Sequence, residues 1–306
     1  MSSKLKRALG VVPRLFNLDR RIDEIKINQG LILSKLQNDA CRAHLWDYEF
    51  KVFSQWGEDG IIQHLVNHLK IENRTFIEFG VEDFLESNCR FLMMKDRWQG
   101  FVIDGSPDNI QRLEASYLYW QYPLRCKASF ITSENISALL EESGFDKAIG
   151  LLSVDIDGVD FHVLKALDAW QPAILVVEYN DVFGFERPVS VPYDPQFVRA
   201  RKHVSNQYWG ANLPAFCHLA GSRGYALVGI NSVGSNAFFV RRELLNERVV
   251  EASLAACNRP ATFRDSRDSK GRLTFLSGNA RADAIADMPL IDVVSGAMLN
   301  VGDLRV

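Results

Sequence analysis

Residues 151–167 read LLSVDIDGVDFHVLKAL, and their pattern decides the fold. An apolar run ends in two carboxylates, Asp155 and Asp157. Gly158 follows, and the apolar spacing then becomes that of a helix. Three other runs end in an acid: FIE at 76–78, FVID at 101–104 and ILVVE at 174–178. Near-continuous apolar runs of this length belong to strands buried on both faces, and hence to a parallel sheet covered by helices. A parallel sheet gathers its strand C-termini at one edge, where open α/β folds bind ligands. Glu78, Asp104, Asp155, Asp157 and Glu178 are therefore expected to converge on one crevice, suited to a ligand rich in hydroxyls and amines.

The flanking sequence extends the alternation. Ser54 is the expected N-cap of a helix whose apolar face is Ile61, Ile62, Leu65, Val66 and Leu69. A helix is expected from about Ser87 to Arg97, and Gly105-Ser106-Pro107 opens another, with Ser106 as cap and Pro107 as its first residue. A third strand is expected near 124–129, then a helix capped by Ser133 and ended at Gly144. A helix near 213–223 leads to a β-hairpin made of YALVGI and AFFVRR. The predicted class is α/β: a doubly wound, mostly parallel, Rossmann-like sheet with a closing antiparallel hairpin and an N-terminal helix.

Three segments lie outside this pattern. Residues 1–44 hold a basic start and then Leu18, Ile22, Ile25, Ile32 and Leu36, with Gln29 in the missing place. This 4-3-4-3-4 spacing is a heptad seam, which suggests a homo-oligomer; packing on the chain's own domain is the alternative. Gly30 weakens such a helix. Lys4, Lys6, Arg7 and Arg14 could add a weak membrane-surface contact. Within the main domain, 45–244, the insert 181–212 mixes aromatic and basic residues and is placed to be a lid or substrate loop. The extension 245–306 is polar and carries no motif.

Composition excludes little. A chain of 306 residues with 47% hydrophobic and 24% charged residues is ordinary for a globular protein. A net charge of −3 gives no reason to expect nucleic acid. Five cysteines without CxxC spacing read as reduced thiols in a cytoplasmic protein. No run approaches the ~18 apolar residues of a membrane helix, and the start is not read as a signal peptide.

The first turn separates the functions open to this fold. It reads GVEDFLESN from Gly80, with one glycine and the acids Glu82, Asp83 and Glu86 where a pyrophosphate would lie. That is electrostatically wrong for NAD, FAD or ATP, and right for an amino or sulfonium group. Asp104, 24 residues after Gly80, stands where an acid takes ribose hydroxyls. Together these indicate S-adenosylmethionine.

The segments FSQWGEDGII (53–62), FIEFGVEDFLESNC (76–89), GFVIDGSP (100–107), LLSVDIDGVDFHVLKAL (151–167) and ILVVEYN (174–180) resemble the FkbM-like branch of S-adenosylmethionine-dependent methyltransferases. The likeness runs over about residues 50–244. It implies an O-methyltransferase acting on a hydroxyl of a glycan, sugar nucleotide or glycosylated metabolite. It also implies that Glu78, Gly80 and Asn88 lie along the methionine end, Asp104 and Gly105 at the ribose, Ser129 and Phe130 at the adenine, and that Gln55 and Asp59 close over the cofactor. Asp155 would border both cofactor and acceptor. The hydroxyl proton needs a base from Asp155, Asp157, Glu178 or His162, or a divalent cation such as Mg²⁺ held by Asp155, Asp157, Glu178 and Asn180. The rival functions are a non-catalytic S-adenosylmethionine-binding scaffold and a dinucleotide-dependent oxidoreductase.

Overall fold

The computed structural model describes the backbone of residues 3–305 and the side chains of 18–304. Among the described residues ten strands run in chain order: β1 Thr75–Phe79, β2 Gln99–Asp104, β3 Leu124–Ala128, β4 Leu151–Val154, β5 Ile174–Glu178, β6 Val189–Ser190, β7 Tyr225–Ile230, β8 Asn236–Arg241, β9 Pro289–Asp292 and β10 Met298–Asn300. The α-helices are α1 Ser3–Gln37, α2 Glu58–His68, α3 Arg90–Asp96, α4 Pro107–Ala115, α5 Tyr117–Gln121, α6 Ile136–Glu141, α7 Asp160–Ala166, α8 Arg199–Lys202, α9 Leu213–Ser222 and α10 Asn279–Asp283.

Seven strands form the main sheet in the order β3-β2-β1-β4-β5-β8-β7. The first five are parallel, and β8 runs antiparallel to both β5 and β7. The order reverses between β1 and β4, so the crevice opens above those two strands. Alternate residues fill two cores. Ile77, Phe101, Leu152 and Leu175 pack on one face of the sheet. Phe76, Val102, Leu151 and Ile174 pack on the other. Glu78, Asp104, Asp155 and Glu178 share the parity of the second set, so they rise toward the same side of the crevice.

Local chemistry moves several element boundaries. Helix α2 begins at Glu58 after Gly57, not at a Ser54 cap, because Ser54 is tied to Asp59. Helix α3 begins at Arg90 because the amides of Asn88 and Cys89 are held by Glu78. Helix α6 begins at Ile136, later than a Ser133 cap allows. The Ser106 cap with Pro107 is as expected.

Helix α1 starts far earlier than the seam suggested and lies on α2 and α3. It buries Asp23, Gly30, Ser34 and Gln37, and turns the apolar seam outward. Gly30 is no weak point. A Cβ there would meet the Phe91 ring at 2.5 Å and Val52 Cγ2 at 2.7 Å, so glycine permits the approach. The basic residues at 4, 6, 7 and 14 lie outside the residues whose side chains are described.

The C-terminal extension is folded. Strand β9 pairs with β10 and with β6 of the insert, giving a second, three-stranded sheet. A buried ion pair from Arg281 to Asp181 adds to this join, at 2.8 Å. Among the described residues no helix is long and apolar enough to cross a membrane.

Candidate active site

A crevice of about 700 Å³ lies above the carboxyl ends of β1, β2, β4 and β5. Gln55, Glu78, Gly80, Asn88, Asp104, Gly105, Ser129, Phe130, Asp155, Asp157 and Glu178 all line it. The edge logic therefore places most of the expected residues together.

At the β1 end, Glu78 is buried and its oxygens are spent on the following loop. It accepts from Ser87 Oγ at 2.6 Å, Asn88 N at 2.8 Å and Cys89 N at 3.2 Å. Burial pushes its carboxyl above the ordinary range, and these donors pull it back. Glu78 thus shapes the loop that follows β1, while Glu82 and Glu86 face the crevice from that loop. Asp104 similarly accepts from Glu82 N at 2.8 Å, Ser106 N at 2.8 Å and Asn109 Nδ2 at 3.0 Å. A carboxylate offers about four acceptor sites, which leaves room for one further donor.

At the β4 and β5 ends three carboxylates meet. Oxygens of Asp155, Asp157 and Glu178 lie within 4.8 Å of one another. Burial, then the neighbouring acids, hold the Asp155 and Glu178 carboxyls well above the usual range. One Glu178 oxygen, Oε2, is buried without a hydrogen-bond partner. Asp157 has a positive φ of 54°, a strained backbone for a non-glycine residue and the kind of strain that gathers at functional sites. Its carboxylate is held by Arg199 at 2.5 Å.

Arg199 was not anticipated as a site residue. It comes from the insert, bonds Asp265 of the C-terminal extension at 2.5 Å, and lies over the Trp209 ring. Phe263, Arg264, Asp265 and Leu273 bring the extension into the crevice wall. No local pattern marked these residues.

Three expected residues lie elsewhere. Asp59 is fully buried away from the crevice; its Oδ2 accepts from the amides of Val52 and Phe53 at 2.7 Å and of Ser54 at 2.8 Å. Burial raises its carboxyl to about 6. Its contribution is to fix the turn that carries Gln55. His162 is outside the crevice lining: its Nε2 donates to the Val191 carbonyl at 2.8 Å, and burial lowers its basicity. It anchors the insert and is not placed to take a proton from an acceptor. Asn180 is committed as well. Its Nδ2 donates to the carbonyls of Gln207 at 3.0 Å and Trp209 at 2.9 Å, while its Oδ1 accepts from Val182 N. It cannot serve a metal beside Glu178 without giving up these bonds.

Strand order, the crevice at the reversal point and the acid-lined first turn define a Rossmann-like α/β fold with a ligand crevice at the carboxyl edge of its sheet. Residues 128–208 match the family model of the methyltransferase FkbM domain. The match spans Ser129, Phe130, all three clustered acids and Arg199. Among solved structures, the chain is similar to the N-terminal domain of EvdMO1 with SAH bound (9% identity, 54% of this chain and 72% of that one, TM-score 0.34). It is also similar to an O-methyltransferase family protein from Burkholderia thailandensis (10%, 74% and 60%, TM-score 0.35). A third is the plantazolicin methyltransferase BamL in complex with a triazolic desmethylPZN analog and SAH (11%, 81% and 77%, TM-score 0.35). No curated protein matches the sequence.

Proposed function

We propose that the protein transfers the methyl group of S-adenosylmethionine to a hydroxyl of a glycan, sugar nucleotide or glycosylated metabolite. The observation that carries this reading is the Asp155–Glu178 pair. Two crevice-facing carboxylates, held well above the usual range by burial and by the acids beside them, favour sharing one proton, which leaves one acceptor for another. The acceptor oxygen attacks the methyl carbon, the carbon–sulfur bond breaks, and S-adenosylhomocysteine leaves. The hydroxyl proton passes to the free carboxylate of the pair. Carboxylates also suit the remaining hydroxyls of a sugar, because each can accept two or more hydrogen bonds.

A divalent cation is the alternative means of acidifying the hydroxyl. Asp155, Asp157 and Glu178 would be its ligands, and their hard oxygens fit Mg²⁺. A cation there would have to displace Arg199 from Asp157, whereas a side-chain base needs no displacement. That favours the base. The test is turnover with sugar-nucleotide and glycan acceptors, before and after chelation. Activity that survives chelation supports the base; activity lost and restored by Mg²⁺ establishes the metal. S-adenosylhomocysteine binding without turnover on any acceptor would favour the scaffold reading. Binding of NAD without a response to S-adenosylhomocysteine would overturn the cofactor assignment.

We also propose that α1 joins two copies of the chain. It buries a largely polar face and exposes an apolar one, the reverse of a helix whose only contact is its own domain. Its seam residues are between 41% (Ile22) and 73% (Leu36) exposed. In a parallel pair Gln29 meets its own copy, so its amide is paired, whereas in an antiparallel pair it faces an isoleucine. The five free cysteines fit a reducing compartment, and a cytoplasmic location belongs to this proposal.

A further inference from the structure

The inner face of α1 reaches the loop that lines the methionine side of the crevice. Arg90, the first residue of α3, is buried and pairs with Asp23 of α1; the two side chains are 3% and 9% exposed. The same guanidinium donates through Nη1 to the carbonyl of Leu85 at 2.8 Å. It also lies over the Phe53 ring, 4.0 Å from its centroid. Leu85 belongs to the loop 80–89, and Phe53 belongs to the turn that carries Gln55 and Trp56 into the crevice. Those two segments are joined directly by Ser87 N donating to the Phe53 carbonyl at 3.2 Å. Arg90 therefore stands behind both walls of the methionine end.

We infer that Asp23 is a positioning residue for cofactor binding, acting through Arg90 on the loop 80–89. A buried guanidinium needs a counter-charge, and removing one partner of such a pair leaves the other unpaired at a large penalty. Asp23 is the carboxylate that pairs with Arg90. It is fixed in turn by Tyr117, whose hydroxyl donates to Asp23 Oδ2 at 2.5 Å. Two further contacts seat the helix: Gln37 Nε2 donates to the Gly60 carbonyl at 2.8 Å and Ser34 Oγ to Gln63 at 3.3 Å. The polar character of this face follows from the work it does. Without the pair, Arg90 turns toward water, and Leu85 and Phe53 lose their common support. The loop then samples conformations that do not bind the methionine end, and apparent affinity falls by the fraction of molecules still competent.

This inference rests on the cofactor assignment, and its test separates the two. Full-length wild type is compared with Asp23→Asn, Tyr117→Phe and Arg90→Lys. S-adenosylhomocysteine affinity is read by calorimetry, and hydrogen exchange is followed at the amides of 82–89 without ligand. The expected result is at least a tenfold affinity loss in Asp23→Asn, with faster exchange confined to 82–89. Tyr117→Phe, which leaves the ion pair in place, should stay within twofold of wild type. Arg90→Lys keeps the charge but loses the fork to Leu85, and should weaken binding while retaining the fold. It serves as the second variant if Asp23→Asn does not fold. Wild-type affinity and wild-type exchange in a folded Asp23→Asn protein would overturn the inference. If wild type itself fails to bind S-adenosylhomocysteine, the cofactor assignment fails, and the exchange at 82–89 still decides whether the brace exists.

Discussion

A Cβ at position 80 would lie 1.7 Å from the carbonyl oxygen of Asp155, so only glycine lets the ends of β1 and β4 meet. Gly80 also has φ of 67°, a conformation that L side chains rarely adopt. One residue thus sets the distance between the loop that follows β1 and the strand end that carries the proposed base. Gly80→Ala is expected to destabilise the protein by about 2–4 kcal/mol, from the positive φ and the backbone collision together. Urea unfolding measures this; a loss below about 0.5 kcal/mol, the range of an inert surface change, would contradict the geometry.

Asp155→Asn and Glu178→Gln should each reduce turnover by about 10²–10⁴-fold, the range for loss of a general base. Cofactor affinity should change little, because the proposed methionine and ribose contacts lie at the ends of β1 and β2. The comparison of kcat with the S-adenosylhomocysteine Kd decides this. Loss of affinity with intact kcat would reverse the assignment.

The same pair gives a stability signature. The folded pKa values of Asp155 and Glu178 are raised above their ordinary values of 3.8 and 4.5. The folded state therefore binds more protons than the unfolded state above about pH 4, and stability falls as pH rises through the raised values. Asp160, lifted to about 6 by burial, acts in the same direction. Glu178→Gln should lose less stability than wild type as pH rises above the ordinary carboxylate range. Melting temperatures across that rise test it, and parallel curves would show that the pair is not perturbed.

Asp104→Ala should weaken S-adenosylhomocysteine binding by ~2–3 kcal/mol, the scale of hydrogen bonds to a charged group. It should also lower stability by ~1–2 kcal/mol, since Glu82 N, Ser106 N and Asn109 lose their acceptor. Asp104→Asn, which keeps one oxygen, should recover part of the stability. Unchanged affinity in the alanine variant would place the ribose elsewhere.

Ile25→Glu combined with Ile32→Glu should convert a dimer to a monomer, because two charges on each helix would enter an apolar seam. Light scattering gives the mass, and cofactor affinity should stay within twofold, since the opposite face of α1 supports the loop. A wild-type monomer, or a dimer that survives both substitutions, would show that the stripe joins nothing.

The strands and the edge they share were legible because their signal is local. An apolar run ending in an acid needs only a few consecutive residues to be read, and β1, β2, β4 and β5 all carry it. Strand parity then fixes which acids share a face. The hairpin of β7 and β8 and the Ser106-Pro107 start of α4 were legible for the same reason. Asp59 and Asn180 have the residue type of ligands, but Asp59 Oδ2 and both amide atoms of Asn180 went to nearby backbone groups, which no spacing reports. His162 sits on a helical position that the fold happens to turn toward the insert.

What the sequence alone determined is the sheet, the crevice and the acids beside it, because each follows from periodicity within one element. What only the tertiary structure decided is who completes the site. Arg199 meets Asp157 and Asp265 across 42 and 66 residues, and Asp23 meets Arg90 across 67. Such pairs depend on where whole elements come to rest, and a charged side chain carries no local mark of its distant partner. The same holds for α1. Its spacing showed an apolar stripe, but only packing could show that the stripe faces outward, because the polar face was the one with Arg90, Gln63 and Gly60 to meet.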